Sequence, residues 1–289
     1  MVGRGCADDP AAPCDAGGVD VWSVPPMDTR VLFDGERRDL LALLDHLTAD
    51  EWAAASPAHG WTVKDVAAHL LDGDLGRLSR DRDRELTGLL PVGGSAREFA
   101  SALAAKNQRW VDAAGQLSGR VVRDLLVFTT GQLHAWTQDL DLMASRHVSW
   151  ASDQPVPAWL DLARELTETW VHHQQIRIAT GRATSRSRLP TVLRTFVWAL
   201  PHQYRAQAAP GTTVLVDLDT GGQWRLVAGP AQRWSLEEGL VGQPAARVAF
   251  TAEAAWRSFT GARLPRDGIH CTGPRDLTEP VMTIRGIII

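Results

Sequence analysis

The amino-acid sequence predicts an α-helical four-helix bundle followed by a smaller α+β domain with an antiparallel sheet. Apolar residues recur at helical spacing as far as residue 182, and shorter apolar runs separated by glycine-containing turns follow. The connections between the helical segments suit neighbouring helices of a bundle. We therefore expect a disordered tail over residues 1–27, the helical bundle over 28–183 and the α+β domain over 184–289.

The composition is that of a globular protein and argues against several partners. The 289 residues are 44% hydrophobic and 22% charged, which is ordinary for a chain with a sizeable core. The net charge of −4 gives no electrostatic case for binding nucleic acid or an anionic membrane. The three cysteines show neither disulfide nor metal-ligand spacing, and no apolar run approaches the roughly 18 residues of a membrane helix. The expected location is the cytoplasm.

The residues before Met27 are rich in Gly, Ala, Asp and Pro. They lack the basic and apolar segments of a secretory signal, so their composition predicts a disordered tail. Met27 directly precedes the first helical pattern and is an alternative start to Met1.

Amphipathic patterns predict the helices of the first region. Thr62 can cap the second helix, with Asp65 three residues later in an Asp-for-Glu variant of the capping box. The mixed charges of 80–85 indicate a solvated face, and the loop 88–94 could border a pocket. The predicted helices are 28–47, 62–82, 96–115, 120–139 and 160–182.

The region after residue 184 predicts a helix and then strands. Gly221 and Gly222 separate two short apolar runs and are typical of a hairpin turn. The three isoleucines at the C-terminus are interpreted as a buried strand, and the absence of a glycine-rich phosphate loop gives no support to nucleotide binding. The predicted helices are 190–208 and 252–260, and the predicted strands are 212–218, 224–228 and 246–250.

The helix 160–182 carries residues that suggest chemistry. Glu168 and His172 are four residues apart and therefore lie on one face of the helix. A carboxylate and an imidazole at that spacing can hold one divalent ion. Glu165 shares roughly that face, whereas the helical period turns His173 about 100° away.

Two ligands rarely hold a metal, and His69 is the best candidate for a third. It lies among the apolar residues of the helix 62–82, which point it toward the bundle interior, where histidine and carboxylate ligands converge on metals. The pattern thus suggests a metal site of His69, Glu168 and His172. Each histidine alone is also compatible with an ordinary core or surface position. His134 could face the same interior as a packing or ligand-supporting residue.

Two stretches of the sequence resemble one family. They are 60–70, Gly-Trp-Thr-Val-Lys-Asp-Val-Ala-Ala-His-Leu, and 163–177, Ala-Arg-Glu-Leu-Thr-Glu-Thr-Trp-Val-His-His-Gln-Gln-Ile-Arg. Together they closely resemble motifs of the mycothiol-dependent maleylpyruvate isomerase-like family, and the resemblance covers most of the chain from about residue 28. It implies a DinB-like four-helix bundle and a sterol-carrier-like C-terminal domain. The family's metal triad falls on His69, Glu168 and His172.

The resemblance also implies an enzyme that uses mycothiol, the low-molecular-weight thiol of actinobacteria, as cosubstrate or transferred group. Three protein ligands leave an open position on a zinc-like ion. A thiol bound there loses its proton far below its free pKa of about 8.5 and can attack a small-molecule substrate, in isomerisation or in group transfer. Two imidazoles and a carboxylate suit Zn²⁺, and Ni, Co or Fe(II) are chemically possible.

Other residues have expected supporting roles in this interpretation. Asp72 and Gln175 are expected to orient the imidazoles. Arg177 faces about 140° from His172 on an ideal helix and is interpreted as structural. An acidic substrate would need a cation, which an arginine of the C-terminal domain could supply: Arg225, Arg257 and Arg285 are available.

Two further classes of function fit the same residues. A metal-dependent hydrolase would hold water instead of a thiol at the open metal position. A non-enzymatic binding module would keep a vestigial site or carry an apolar ligand in its second domain. The expected partners are a low-molecular-weight thiol and a small-molecule substrate, and the sequence determines neither the reaction nor the oligomeric state.

Overall fold

The structure, a computed structural model, describes residues 20–58, 60–87 and 96–286. As far as residue 179 this part of the chain is mainly helical. The helices are α1 (Arg30–Asp45), α2 (Ala49–Ala53), α3 (Val63–Arg77), α4 (Ala96–Ala114), α5 (Gly119–Gln138) and α6 (Ala158–Ala179). Helix α3 packs against α4, α5 and α6, and α1 packs against α5 and α6. Two short antiparallel strands, β1 (Ser145–Arg146) and β2 (Val156–Pro157), precede α6.

Side-chain caps determine where two helices begin. Thr62 and Asp65 form the predicted capping box at the start of α3, each side chain accepting a hydrogen bond from the backbone N–H of the other. Thr48 and Glu51 form a second box at α2. The helix predicted over 62–82 is α-helical as far as Arg77, and a π-helical turn over Leu78–Arg82 follows it directly.

A five-stranded sheet follows in the C-terminal part, so the predicted order of a helix-rich part and then a sheet-containing part is confirmed. The strands are β3 (Thr213–Leu218), β4 (Gly222–Ala228), β5 (Trp234–Glu238), β6 (Ala246–Phe250) and β7 (Ile269–Thr272). Their order in the sheet is β5-β4-β3-β6-β7. Gly222 has φ +91°, a left-handed conformation that glycine adopts without strain, at the predicted turn between β3 and β4. The helices are α7 (Leu189–Phe196), α8 (Ala199–Gln203), α9 (Ala252–Thr260) and α10 (Arg275–Met282), and a 3₁₀ turn spans Pro230–Gln232.

The prediction of an antiparallel sheet is wrong for one pair of strands. Strands β3 and β6 are parallel, with Val216 opposite Val248, whereas the other pairs are antiparallel. Strand β5 runs in the same direction as β3, because both are antiparallel to β4. The segment between β5 and β6 leads back along the strands before β6 begins, so β6 also runs in the direction of β3. Alternating apolar residues predict strands but not the direction in which they pair.

The single helix predicted over 190–208 is also wrong. The chain forms α7 and then α8, and residues 204–208 are not helical. Pro201 has no N–H to donate, so it is accommodated in the first turn of a new helix but not inside a long one. Strands β5 and β7 and helix α10 were not predicted. Strand β7 has no buried face and Pro280 lies inside α10, so neither shows a clear pattern.

The predicted disorder of the tail does not extend to its last residues. Trp22 donates a hydrogen bond from Nε1 to the carbonyl of Pro155 (3.1 Å), and Val21, Val24 and Met27 pack against the C-terminal core. Residues 1–19, the loop 88–94 and the three terminal isoleucines lie outside the described residues. Among the described helices, none combines the length and the apolar character that a membrane crossing requires.

Helix α6 contributes to two apolar cores. Ile176 is fully buried in the core formed mainly by α1, α3 and α5. Trp159 and Trp170 lie on another face of α6, in the core that also contains the sheet and helices α7 and α9. The helix that carries Glu168 and His172 is therefore packed on both sides, which restricts its movement.

Candidate metal centre

Helices α3 and α6 bring the three predicted ligands together. Nε2 of His69 and Nε2 of His172 each lie 3.1 Å from Oε1 of Glu168. One potential ligand atom from each residue lies within 4.8 Å of the others, and this is the one such cluster among the described residues. The structure thus places the residues predicted from helical spacing in one site.

Local structure explains this convergence. The capping box at Thr62 starts α3 in a fixed orientation, seven residues before His69. Glu168 and His172 are one turn apart on α6. Contacts at both ends show that α3 and α6 are antiparallel, because His69 meets Glu168 whereas Arg77, further along α3, meets Asp161, earlier on α6.

The two imidazoles differ in how they are supported. Nδ1 of His172 lies 2.7 Å from Oε1 of Gln175, as the sequence predicted for a residue that orients this ring. Nδ1 of His69 is buried and has no hydrogen-bond partner among the described residues. The prediction that Asp72 orients His69 is wrong, since Asp72 accepts a hydrogen bond from Lys106 (2.7 Å) instead.

The site is closed on one side and partly open on the other. The side chain of His172 is 2% exposed, whereas those of His69 and Glu168 are 14% and 22% exposed. The indole of Trp61 packs beside His69, with 5.1 Å between the ring centroids, and its Nε1 donates to Gln108. The cluster is therefore partly accessible to solvent through His69 and Glu168.

Glu168 carries the negative charge of the cluster. Burial opposes ionisation of its carboxyl group, but hydrogen bonding and electrostatic interaction with His172 and His69 outweigh burial and hold the pKa of Glu168 well below its usual range. The group is therefore a carboxylate at neutral pH, which is the form that binds a cation.

These residues fit a divalent cation. With Nδ1 of His172 donating to Gln175, Nε2 presents its lone pair toward the carboxylate of Glu168. A lone pair and a carboxylate oxygen at that separation repel each other unless a cation, a proton or a metal ion, is shared between them. Two imidazole nitrogens and one carboxylate oxygen are a common ligand set for Zn²⁺ and for related transition metals.

Sequence reasoning missed the arginines that hold α3 and α6 together. Nη2 of Arg77 donates to Asp161 (2.9 Å) and its Nη1 to Glu165 (3.0 Å). Arg164 binds the same two carboxylates from α6 itself. The sequence contained one indication of these ion pairs. Glu165 is a carboxylate on the face of a helix predicted to be buried, and such a group requires a cationic partner.

The carboxyl group of Asp161 and the guanidinium of Arg77 both stay charged although they are buried. Burial opposes ionisation of Asp161, but the charges of Arg77 and Arg164 hold its pKa well below the usual range. Burial also opposes the charge of Arg77, yet Asp161 and Glu165 raise the pKa of its guanidinium above its ordinary value. Glu165 is thus occupied by arginines and does not join His69, Glu168 and His172.

Two other histidines considered in the sequence analysis, His134 and His173, lie outside the cluster. His134 is a surface residue whose Nδ1 lies 2.7 Å from Asp34, so it is not part of the cluster. His173 is buried against Glu36, with 2.6 Å between Nδ1 and Oε1. The helical period placed His173 on another face of α6 from His172, and the structure agrees.

The predicted arginines all have structural contacts. Arg177 donates to the carbonyl of Ala183, which confirms its interpretation as structural. Arg225 pairs with Glu237, and Arg257 pairs with Glu253. Arg285 donates to three backbone carbonyls near the end of the described chain. None of these contacts is with the cluster of His69, Glu168 and His172.

The fold and the cluster define a helix-rich protein with a sheet-containing C-terminal part and a candidate three-residue metal site. The family model for the mycothiol maleylpyruvate isomerase N-terminal domain matches residues 33–177, half of the chain, and this stretch contains all three residues of the cluster. The chain belongs to the mycothiol maleylpyruvate isomerase family.

Two curated proteins are similar in sequence to this chain. Two proteins of Mycobacterium tuberculosis, from strains CDC 1551 / Oshkosh and ATCC 25618 / H37Rv, are 36% identical over 150 residues and are both described as uncharacterised. The matched stretch is 50% of this chain and 54% of theirs, so the chain spans about half the length of the curated relatives it matches.

Two solved structures share the fold. They are crystal structures of the mycothiol-dependent maleylpyruvate isomerase and of a histidine-to-alanine mutant of it, each with a TM-score of 0.55. The matches cover 88% of this chain and 95% of the solved chain at 15% and 14% identity. At this identity the likeness concerns the fold.

Proposed function

We propose that the protein is a divalent-metal-dependent enzyme that activates a low-molecular-weight thiol, mycothiol in particular. The reaction is thiol transfer, conjugation or thiol-assisted isomerisation of a small molecule. The observation that carries this proposal is the meeting of His69, Glu168 and His172 within 4.8 Å, inside the stretch that the family model matches. The names of the solved relatives support mycothiol as the thiol and an isomerase-like reaction.

In this proposal His69, Glu168 and His172 hold the metal. Bound there, an ion such as Zn²⁺ would lower the pKa of a thiol at its open position, so that the thiolate is present at neutral pH. Gln175 fixes the tautomer of His172, and Glu168 offsets part of the charge of the ion. Trp61 packs against the ring of His69 and would limit its movement.

The domain organisation is part of the proposal. A DinB-like four-helix bundle over residues 28–183 would carry the metal, and a sterol-carrier-like domain over 184–289 would close the site or bind part of a ligand. The long helices α1, α3, α5 and α6 and the five-stranded sheet support this division.

The partly exposed cluster also supports a second candidate, a metal-dependent hydrolase, since water could occupy the open metal position. A non-enzymatic binding module is the third possibility. Metal content and thiol affinity together separate the three. The enzyme proposed here holds one metal ion and binds mycothiol, a hydrolase holds the metal without binding mycothiol, and a binding module holds little metal.

The test uses the full chain and two variants of one residue type. His172→Ala should lose stoichiometric metal and weaken mycothiol binding at least tenfold. His134→Ala is the matched control and should keep both, because the imidazole of His134 pairs with Asp34 at the surface and is not part of the cluster. Metal would be measured by elemental analysis after dialysis, and thiol affinity by titration calorimetry. Unchanged metal content and thiol affinity in His172→Ala would show that the site assignment is wrong.

A further inference from the structure

The outer face of helix α5 carries large apolar side chains that the rest of the described chain leaves uncovered. Four of them lie within eight residues and are 42%, 39%, 44% and 61% exposed: Val121, Leu125, Val127 and Phe128. The opposite face of α5 is buried, and the helix packs there against α1 and α3. A continuous apolar patch of this kind on a folded protein marks a surface that binds a partner.

The residues along this outer face are spaced symmetrically. The steps between them are four, four, three, four and four residues, which keeps all of them on one side of the helix. These residues, the outer stripe, are all exposed: Arg120, Asp124, Phe128, Gly131, Ala135 and Asp139. Because the spacing is the same read in either direction, a second α5 running antiparallel can lie against the first with the same positions in register.

Phe128 and Gly131 complement each other in that arrangement. A two-fold axis at the middle of the outer stripe brings Phe128 of each copy opposite Gly131 of the other. The phenyl ring projects from the surface, whereas Gly131 has no side chain, and a Cβ atom added there would meet no heavy atom within 4 Å. Each ring can therefore fill the notch at the other glycine, and the two helices can approach closely.

The charges at the ends of the outer stripe are complementary in the same register. Arg120 lies in the first turn of α5 and Asp139 directly follows its last residue, and neither forms an ion pair with another described residue. The antiparallel pairing brings each Arg120 opposite Asp139 of the other copy. Asp124 faces the neutral Ala135 and keeps its own pair with Arg123. A parallel pairing would instead place like charges together at both ends.

We propose that the protein forms a two-fold symmetric dimer through the outer stripe of α5. Helix α5 has 20 residues and is about 30 Å long, so this contact alone buries less than the roughly 800 Å² per partner of a standard interface. The dimer is therefore weak and forms in a concentration-dependent way. This inference is independent of the proposed function, because the cluster of His69, Glu168 and His172 includes no residue of α5.

Sedimentation velocity of the full chain, over about 1 to 100 μM, measures the dissociation constant of the dimer in the range expected for a small interface. Phe128→Glu should raise this constant at least tenfold, and the fold should tolerate the change because the ring is mostly exposed. Val241→Glu is the matched control, since Val241 is 66% exposed in the loop between β5 and β6. Its dissociation constant should stay within twofold of that of the native protein.

A charge exchange tests the antiparallel register. Arg120→Glu places two carboxylates opposite each other at each end and should raise the dissociation constant at least fivefold. Adding Asp139→Arg to that variant restores opposite charges and should return the constant to within twofold of the native value. An acid in the first turn of a helix and a base after its last turn both suit the helix dipole, so neither change endangers folding.

Three results would each overturn the inference. The first is a native chain that stays monomeric at every concentration, which would leave the outer stripe to a different protein. The second is a Phe128→Glu variant that dimerises like the native chain, which would place the contact on another face. The third is a double charge variant that dimerises no better than Arg120→Glu alone.

Discussion

Arg77 and Glu165 form a buried ion pair between α3 and α6, with 3.0 Å between Nη1 and Oε1 and side chains only 3% and 10% exposed. The pair lies on the same two helices as the contact between His69 and Glu168. The two contacts together determine the register of α3 against α6, and with it the distance between the candidate metal ligands.

Replacing Arg77 should therefore destabilise the protein strongly. Arg77→Met would leave buried carboxylates short of positive charge, and breaking such a pair costs about 3–5 kcal/mol in the free energy of unfolding. Urea unfolding of the metal-free chain measures this loss. Arg275→Met is the control, because its pair with Glu279 is exposed and should contribute less than about 1 kcal/mol. Equal losses in the two variants would contradict a special role for the buried pair.

Gln175 should matter for metal affinity more than for folding. Gln175→Met removes the acceptor for Nδ1 of His172, and losing such a supporting hydrogen bond lowers metal affinity about 10- to 100-fold. Competition with a zinc chelator measures the affinity. The neighbouring Gln174 is an equally buried amide that bonds Ser185 and Trp170 instead. If Gln174→Met reduced zinc affinity as much as Gln175→Met, the effect would be general and not directed through His172.

Stability should fall in acid partly because of Asp161. The folded protein lowers the pKa of Asp161 below the value of 3.8 expected in the unfolded chain, despite burial, through Arg77 and Arg164. The resulting stabilisation is present above pH 3.8 and is lost as the pH falls toward the folded pKa. The difference in unfolding free energy between the native protein and Asp161→Asn should therefore be largest near pH 6 and smaller near pH 2.5.

Urea titrations at those two pH values supply the comparison for Asp161. Burial raises the pKa of Asp74, which gives a pH dependence of the opposite sign. Asp74 is the same in both proteins, so it cancels in the difference. A difference that stayed constant between the two pH values would contradict the assigned role of Asp161.

Gly73→Ala should stabilise the fold. The added methyl group would meet no atom within 4 Å, and alanine is better than glycine inside a helix by about 1 kcal/mol. Thermal unfolding should therefore show a higher Tm. Gly119→Ala provides the contrast, since its Cβ would overlap the ring of Trp52, and this variant should be destabilised. A lower Tm for Gly73→Ala would mean that the space beside it is needed by the folded chain itself.

Helical spacing predicted much of the candidate site from the sequence. Glu168, His172 and Gln175 lie on one helix, where the period alone determines which side chains share a face. Placing His69 beside them needed the additional assumption of a bundle, because spacing within α3 does not specify which helix it contacts. The same lack of tertiary information explains the wrong role for Asp72, which faces Lys106 of α4.

The ion pairs and the sheet were less predictable. Arg77 and Arg164 look like ordinary helix residues in the sequence, and only packing against Asp161 and Glu165 shows that they cross-link two helices. Strand β5 has the alternating burial of a half-buried strand and could have been recognised from its apolar residues Trp234 and Leu236. Strand direction depends on how the chain returns between β5 and β6, which local patterns do not encode.

Trp170 lies between Glu168 and His172 in the sequence but packs against Trp256 of α9, with ring centroids 5.6 Å apart. Cutting the chain after residue 183 would uncover this indole together with that of Trp159. The excised N-terminal fragment would therefore expose an apolar patch to solvent and tend to aggregate. A search for a minimal metal-binding fragment would fail for that reason, because the helix that carries Glu168 and His172 also carries the two uncovered indoles.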